Sequence, residues 1–128
     1  MSDLVEFLDL DDVLDLARRL LGVPPPIRDV GLLGSAAARP QTTIGADDAY
    51  PTIWLKAAAL LQSIVGNHAL VDGNKRLGWL ATAVLLEIND ASVANASNAD
   101  VYDLVMEIAA SGSDLDAIAT HLEGFHHS

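Results

Sequence analysis

The chain has 128 residues, which is the length of one domain and leaves no room for two independent cores. Hydrophobic residues make up 51% of it and aromatic residues only 5%, so we expect a core of Leu, Ala, Val and Ile, which suits packed helices better than a sheet. The formal net charge of −11 argues against direct nucleic-acid binding and against an anionic membrane surface, and it favours a basic protein partner.

Other sequence features limit the location and the kind of chemistry. The chain contains no cysteine, which excludes a disulfide framework and a thiolate metal site. Its apolar runs are too short to cross a bilayer, and its first residues lack the basic start and apolar run of a signal peptide. We therefore expect a single domain over residues 1–128 in the cytoplasm, with neither a membrane nor a nucleic acid as partner.

The first half of the chain predicts two helices and a flap. Apolar residues at helical spacing predict a helix over about 11–21, with Asp9 or Asp11 as the N-cap and Gly22 at its end. Three consecutive prolines then form a stiff connector. A short Ala-rich helix ends before Pro40, and the segment that follows it, up to Asp48, predicts an extended flap or hairpin.

The second half predicts four more helices. Pro51 is placed as the first residue of a long helix through about Asn67. Further helices are expected over about 73–88 and 98–110. The last is expected over 113–122, where Ser113 begins a variant of the capping box. The whole pattern predicts an all-α domain of about six helices with one irregular flap.

The strongest chemical signal lies between the two central helices, where the sequence reads His68-Ala69-Leu70-Val71-Asp72-Gly73-Asn74-Lys75-Arg76. The start of a helix offers free backbone N–H groups and the positive end of the helix dipole, which together bind anions. Gly73 lets the backbone approach a phosphate, Asn74 supplies amide donors, and the two cations that follow add positive charge. Asp72 is an oxygen ligand suited to Mg²⁺, and His68 can accept a proton from a hydroxyl near neutral pH. Together they indicate phosphate-group transfer from a nucleotide to a hydroxyl.

Each of these residues also has an ordinary structural explanation. A single His at a helix end is most often a capping or surface residue, Asp-Gly-Asn is a common turn, and Lys-Arg is a common solvated pair. The Walker A pattern Gly-x-x-x-x-Gly-Lys-Ser/Thr is absent, which excludes a P-loop. Residue types and spacing alone therefore leave phosphoryl transfer as one interpretation among several.

The ordered set resembles the signature of the Fic/Doc superfamily, His-x-Phe-x-(Asp/Glu)-(Gly/Ala)-Asn-(Gly/Lys)-Arg. Lys75 is the variant typical of its Doc ("death on curing") toxin branch. Segments 29–33 and 38–41 resemble the Asp-x-Gly-Leu-Leu and Ala-Arg-Pro-Gln segment of that branch, and residues 50–51 and 56–58 resemble the start of its long helix. The resemblance covers nearly the whole chain and implies a Fic-like helical bundle.

Two positions depart from the family pattern. Leu70 stands where the signature has Phe, and we expect it to stay buried with some loss of fit. Trp79 stands where the AMP-transferring Fic enzymes carry a second Arg that helps hold nucleotide phosphates, which weakens AMP transfer as an interpretation. The inhibitory Ser/Thr-x-x-x-Glu-(Gly/Asn) motif of Fic proteins is not matched either, since Ala119 stands at the hydroxyl position before Glu123-Gly124.

The resemblance implies an activity and a role for each signature residue. The Doc branch transfers the γ-phosphate of ATP to a threonine of elongation factor Tu, which arrests translation and growth. His68 would then be the general base and Asp72 would hold Mg²⁺, with ATP as co-substrate. Phosphate binding is assigned to Gly73, Asn74, Lys75 and Arg76. The exact target and its acceptor residue do not follow from the sequence.

The resemblance also implies a partner. Because no internal inhibitory motif is found, inhibition has to come from a separate chain. We expect a cognate antitoxin with a segment that folds as an added helix beside the cleft, and the acidic surface suggests that this segment is basic or at least that charge steers its approach. Two alternatives stay open: AMP transfer (AMPylation) to a protein hydroxyl, and a catalytically weak Fic-fold interaction module. The intact signature argues against the second.

Several other features have both a structural and a functional interpretation. His121, His126 and His127 suggest a metal site, but a short polar tail, flexible over about 124–128, is favoured. Trp54 and Trp79 are expected as core or cleft walls rather than as a platform on which a nucleotide stacks.

The acidic run and the flap leave alternatives as well. The acidic run comprises Asp9, Asp11, Asp12 and Asp15. It favours a solvated helix start over a docking patch for a basic antitoxin segment. Thr42 and Thr43 on the flap fit strand addition by a target peptide and an ordinary loop equally well.

Overall fold

The computed structural model describes residues 4–127, and most of them are helical. The helices are α1 (Leu10–Leu21), α2 (Val30–Ala38), α3 (Ile53–Asn67), α4 (Asn74–Ile88), α5 (Asn98–Ser111) and α6 (Leu115–His126). A 3-10 turn, Arg39–Gln41, follows α2. Two short strands, β1 (Thr43–Ile44) and β2 (Asp47–Asp48), then pair antiparallel as a hairpin. The predicted all-α fold with one short hairpin is therefore confirmed.

Side-chain caps set where most of the helices begin. The capping residues are Asp9, Asp29, Thr52, Ser97 and Asp114. At α1 the cap is reciprocal, because Asp9 accepts from the Asp12 N–H and the Asp12 side chain accepts from the Asp9 N–H. This second bond selects Asp9 over Asp11.

Two predicted helix starts are wrong by one or two residues. Helix α3 begins after Thr52, whose hydroxyl accepts from the Leu55 N–H, so Pro51 lies before the helix rather than in it. Helix α6 is capped by Asp114, whereas Ser113 lies outside it with a positive φ of 24°. In both cases the side chain that makes the capping hydrogen bond fixes the start: Thr52 comes after the predicted first residue of α3, and Asp114 comes one position after the predicted cap of α6.

Helix α6 continues past its predicted end at Leu122 because Phe125 is buried. The Phe125 ring packs edge-on against Trp79 on α4, with ring centroids 6.1 Å apart. The predicted flexible tail over 124–128 is therefore wrong for 124–126, which are helical. Residue 128 lies outside the described residues.

Two histidines of this helix make defined contacts within the protein. The Nδ1 atom of His126 lies 2.7 Å from the carbonyl oxygen of Ser92, and its ring lies 5.5 Å from that of Trp54. Among the described residues, the His121 side chain bonds the carbonyl of Ala117 in its own helix. Within residues 4–127, no group of three His, Asp or Glu side chains is placed to hold a metal ion.

Helix α3 runs through the centre of the core and packs against α4 along much of its length. Gly78 on α4 makes this packing close, since a Cβ added there would lie 2.9 Å from the Val65 Cγ2 atom. The end of α3 and the start of α4 are therefore fixed relative to each other. No helix in the described part of the chain is long and apolar enough to cross a membrane.

The hairpin is attached to α3 by a buried lysine. Lys56 is only 3% exposed. Its Nζ atom lies 3.0 Å from the Asp48 carboxylate and also donates to the carbonyl of Tyr50. The Arg39 guanidinium binds the Tyr50 hydroxyl and the Ser63 hydroxyl on α3. The hairpin strands themselves are exposed, which leaves both interpretations of Thr42 and Thr43 open.

Candidate functional site

The residues singled out in the sequence line one cavity of about 460 Å³ between the end of α3 and the start of α4. The six are His68, Asp72, Gly73, Asn74, Lys75 and Arg76. The remaining walls are apolar and come from Val65, Val71 and Ala109. The fold therefore brings together every residue of the predicted site.

His68 ends α3 in a left-handed conformation, with φ 56° and ψ 42°. A residue other than glycine adopts this conformation at a cost of about 1 kcal/mol, so the surrounding contacts must hold it there. The side chain is exposed. Within the described residues no hydrogen bond reaches its imidazole, which leaves both ring nitrogens available to a ligand.

The start of α4 is built to leave its backbone N–H groups accessible. Gly73 precedes the helix with φ 93°, and in the described structure no side chain caps it. A Cβ at this position would lie 2.8 Å from both terminal methyl groups of Leu21, so both the backbone conformation and the space favour glycine. Uncapped N–H groups at the positive end of a helix form an anion site.

Two cations follow these N–H groups directly. Lys75 and Arg76 are exposed, and neither has an ion pair with a carboxylate in residues 4–127. In a chain with a net charge of −11, two adjacent unpaired cations leave positive charge available at one place. An anion such as a phosphate is the complementary ligand.

Asp72 has a geometry that fits a metal ligand. One carboxylate oxygen accepts the Gly73 N–H at 2.9 Å, which orients the group. The other oxygen has no hydrogen bond to the described residues, and the side chain is exposed. Mg²⁺ is commonly held by one or two carboxylates together with substrate phosphates, so Asp72 fits this ion when a nucleotide is present.

Asn74 has a role that the sequence did not predict. Its Oδ1 accepts from the Leu70 N–H and its Nδ2 donates to the Leu70 carbonyl, each at 3.0 Å. Leu70 itself is fully buried, as predicted. Asn74 therefore ties the loop to the start of α4, and its predicted contact with phosphate remains an expectation.

The sequence reasoning missed the segment that supports this loop from the other side. The Val71 N–H donates to the Pro26 carbonyl at 2.8 Å, and the Arg28 N–H donates to the Ala69 carbonyl at 2.8 Å. Ile27 and Leu70 form an antiparallel bridge. The only sequence signal was the proline run, which predicts an extended connector but not what it pairs with.

A second, apolar cavity of about 520 Å³ lies next to the first, between α1, α4 and α5. Its lining includes Leu20, Trp79, Leu80, Ala83, Val101, Tyr102, Val105 and Met106. Lys75 and Arg76 line both cavities. Anything that fills this apolar groove therefore touches the same two cations as a ligand in the first cavity.

Comparison with known proteins agrees with this geometry. Residues 7–86, more than half of the chain, match the model of the Fic/DOC family. The chain is also 49% identical over 123 residues to the Toxin Doc of Mycolicibacterium smegmatis, an alignment that covers 95% of each protein. Both findings place the signature residues and the helices that carry them in one family. The chain belongs to the Fic/DOC family.

Proposed function

We propose that this protein is the toxin of a toxin–antitoxin pair and a transferase that phosphorylates a threonine hydroxyl on a translation factor. ATP is the phosphate donor, and elongation factor Tu is the target that the Doc branch suggests. The main support is a single cavity that unites His68, Asp72 and two unpaired cations. Membership of the Fic/DOC family and a relative named as a toxin support the more general part of this proposal, a toxin with transferase activity.

The residues of the cavity fit the steps of this transfer. His68 accepts the proton of the target hydroxyl through its free imidazole. The hydroxyl oxygen then forms a bond to the γ-phosphorus while the bond to the β–γ bridging oxygen breaks, and ADP leaves. Lys75, Arg76 and the N–H groups of α4 stabilise the charge that develops on the phosphate oxygens.

Asp72 holds the metal ion in this scheme. Mg²⁺, when bound, neutralises phosphate charge and fixes the orientation of the phosphates. The Gly73 N–H keeps one Asp72 oxygen in place and leaves the other for the ion. Phosphate oxygens of the nucleotide would supply further ligands, as is usual for Mg²⁺.

The decisive experiment follows the label of ATP. The purified, antitoxin-free protein is incubated with elongation factor Tu and ATP labelled at either the γ- or the α-phosphate. Phosphorylation transfers only the γ-label and adds a phosphate mass to one threonine. AMP transfer instead moves the α-label, adds an adenylyl mass and would overturn the kinase assignment. No transfer of either label would count against both.

A non-catalytic role has a separate test. If the protein acts only by binding, His68→Ala should be as toxic to growing cells as the parent, because the fold and its surfaces are kept. Loss of toxicity in His68→Ala, with unchanged expression and melting temperature, supports catalysis.

The apolar groove is where we expect the antitoxin helix. Tyr102 and Met106 are exposed apolar side chains on α5, with 63% and 39% of their surface accessible. A helix laid into this groove would bury them. It would also cover Lys75 and Arg76, which the phosphates need. Although the chain as a whole is acidic, the charged side chains at this groove are cations. The part of the antitoxin over them is therefore expected to carry an acidic residue.

This docking site is testable with one substitution and its control. Met106→Asp places a charge in the groove and should weaken capture of the antitoxin encoded beside the toxin by at least about tenfold. Val23→Asp makes the same kind of change at an 81% exposed position that is not part of the groove lining and should leave capture unchanged. Equal capture by both variants would place the antitoxin elsewhere.

A further inference from the structure

A cation outside the signature binds the main chain of the loop that carries His68. One guanidinium nitrogen of Arg28 donates to the His68 carbonyl at 2.9 Å and to the Leu70 carbonyl at 3.2 Å. His68 and Leu70 lie 40 and 42 positions after Arg28 in the sequence. Arg28 is therefore a long-range contact to the backbone of the expected general base.

The His68 carbonyl is a group that needs such a partner. The last carbonyls of a helix receive no N–H donor from within the helix and lie at the negative end of its dipole. At His68 the chain also turns into the left-handed conformation, which ends the helix and directs the imidazole. A planar guanidinium presents several N–H groups in a fixed arrangement, so one Arg28 nitrogen can satisfy two carbonyls on either side of this turn.

Two side chains hold the loop, one on each side. Asn74 binds the Leu70 main chain and so connects the loop to the start of α4. Arg28 connects it to the segment before α2 and is the one that reaches His68 itself. Loss of the Arg28 side chain would thus remove the side-chain bond to the His68 carbonyl, while Asn74 still holds the start of α4 and the main-chain bonds to Ala69 and Val71 remain.

Arg28 is not placed to bind the nucleotide. Among the described residues it is not part of the lining of the cavity that contains the signature side chains. Its guanidinium donates to two carbonyl oxygens. These oxygens are hydrogen-bond acceptors, as phosphate oxygens are, so they compete with a phosphate for the Arg28 N–H groups. Its effect on transfer therefore has to act through the loop.

We propose that Arg28 is a positioning residue, which fixes the backbone of His68 so that its imidazole is held where the target hydroxyl arrives. This inference rests on the proposed transferase function. Proton transfer needs the base within hydrogen-bond reach of the hydroxyl, and a displacement of about 1 Å can lower a rate by about a hundredfold. ATP binding, which depends on α4, should change little.

The kinetic test compares Arg28→Ala, Arg28→Lys and a control, Arg19→Ala, on the full-length protein. The Arg19 side chain is 78% exposed on α1, and its ion pair within residues 4–127 is with the Asp15 carboxylate. Arg28→Ala should lower kcat for label transfer by about 10- to 100-fold, with the KM for ATP within about twofold. Arg28→Lys should fall between Arg28→Ala and the parent, because an ammonium keeps the charge but not the planar fork. Arg19→Ala should match the parent.

Amide hydrogen exchange gives a readout that does not require activity. In Arg28→Ala the Val71 N–H, which bonds the Pro26 carbonyl, should exchange at least about tenfold faster, while amides in the middle of α3 stay as protected as in the parent. Faster exchange throughout the core would mean general destabilisation and overturn the proposal. Unchanged exchange at Val71 would overturn it as well.

The kinetic outcomes separate the remaining possibilities. A higher KM for ATP with unchanged kcat would mean that Arg28 contacts the nucleotide, and unchanged kcat would mean that it has no part in transfer; both overturn the proposal. If the parent protein transfers no label at all, the proposed function fails. The exchange at Val71 then still decides whether Arg28 holds the loop.

Discussion

Helices α4 and α5 begin in opposite ways. At α5 the Ser97 hydroxyl accepts from the Asp100 N–H at 3.1 Å, and Asp100 adds a negative charge to the first turn. At α4 the preceding residue is Gly73, which has no capping side chain in the described structure, and the first turn contains two cations. The start of α5 has both a capping side chain and an acidic first turn, whereas the start of α4 has neither in the described structure.

The difference indicates which helix start has a ligand. A capping side chain contributes about 1 kcal/mol relative to alanine and a few tenths of a kcal/mol relative to glycine, and a cation near a helix N-terminus is unfavourable by a few tenths of a kcal/mol. Helix α4 lacks the capping side chain and has the unfavourable cations, and it does so at the place where the signature residues meet. Changes near α4 should therefore affect transfer, and changes at the start of α5 should affect stability.

The largest effect is expected at the loop that leads to α4. Replacement of His68 by Ala removes the expected general base and should lower label transfer by about 10²- to 10⁴-fold, with little change in melting temperature because the side chain is exposed. The control is His121→Ala, an exposed histidine that bonds only its own helix. Equal losses in the two variants would contradict the role of His68.

The next effect concerns the cations. Arg76→Ala should raise the KM for ATP by about 10- to 100-fold, since hydrogen bonds to charged groups are worth about 1.5–3 kcal/mol. Stability should not fall, because Arg76 has no ion pair within residues 4–127. Steady-state kinetics and a denaturant titration measure the two quantities. The control is Arg18→Ala, which replaces a surface arginine on α1 paired with Asp15 and should change neither the KM for ATP nor the stability. An unchanged KM in Arg76→Ala would contradict the distinction drawn between the starts of α4 and α5.

A smaller effect on stability is expected at Gly73. Gly73→Ala forces a Cβ into the left-handed region and within 2.8 Å of the Leu21 methyl groups, so it should be less stable than the parent by about 1–3 kcal/mol. Gly112→Ala has a similar backbone conformation, with φ 76°, and nothing within 4 Å of the new Cβ. It should lose less stability than Gly73→Ala by chemical denaturation. Equal losses would show that Leu21 moves aside at no cost.

The smallest effect is expected at the cap of α5. Ser97→Ala should lower the free energy of unfolding by about 1 kcal/mol and leave both kcat and the KM for ATP unchanged. The same denaturant titration and label-transfer assay check this. A loss of transfer here would mean that the two helix starts are coupled, contrary to the comparison.

Local signals predicted most of the fold. Apolar spacing and capping residues placed the helices within one or two residues at most ends, because such signals act over three or four positions. The end of α6 was the exception. Phe125 continues the helix by packing on Trp79 of α4, a contact that no local pattern contains.

The sequence predicted which side chains line the candidate site but not the hydrogen bonds that hold its loop. The ordered signature identified the side chains that line the cavity. It could not show that Asn74 binds the Leu70 main chain, nor that Arg28 reaches the His68 carbonyl. Both bonds depend on how the backbone turns at His68, and a left-handed turn at a residue other than glycine has no reliable sequence signal.

The close packing of α3 on α4 at Gly78 determines how this activity can be turned off. The site residues all lie between positions 68 and 76, on one turn between two helices that share the core. Pulling those helices apart would expose Val65 and its buried neighbours, which amounts to unfolding the protein. A partner that inhibits by covering the site, as proposed for the antitoxin helix, would leave these helices and the site residues in place. When such a partner is degraded or dissociates, transfer would resume at once, with no folding step to delay it.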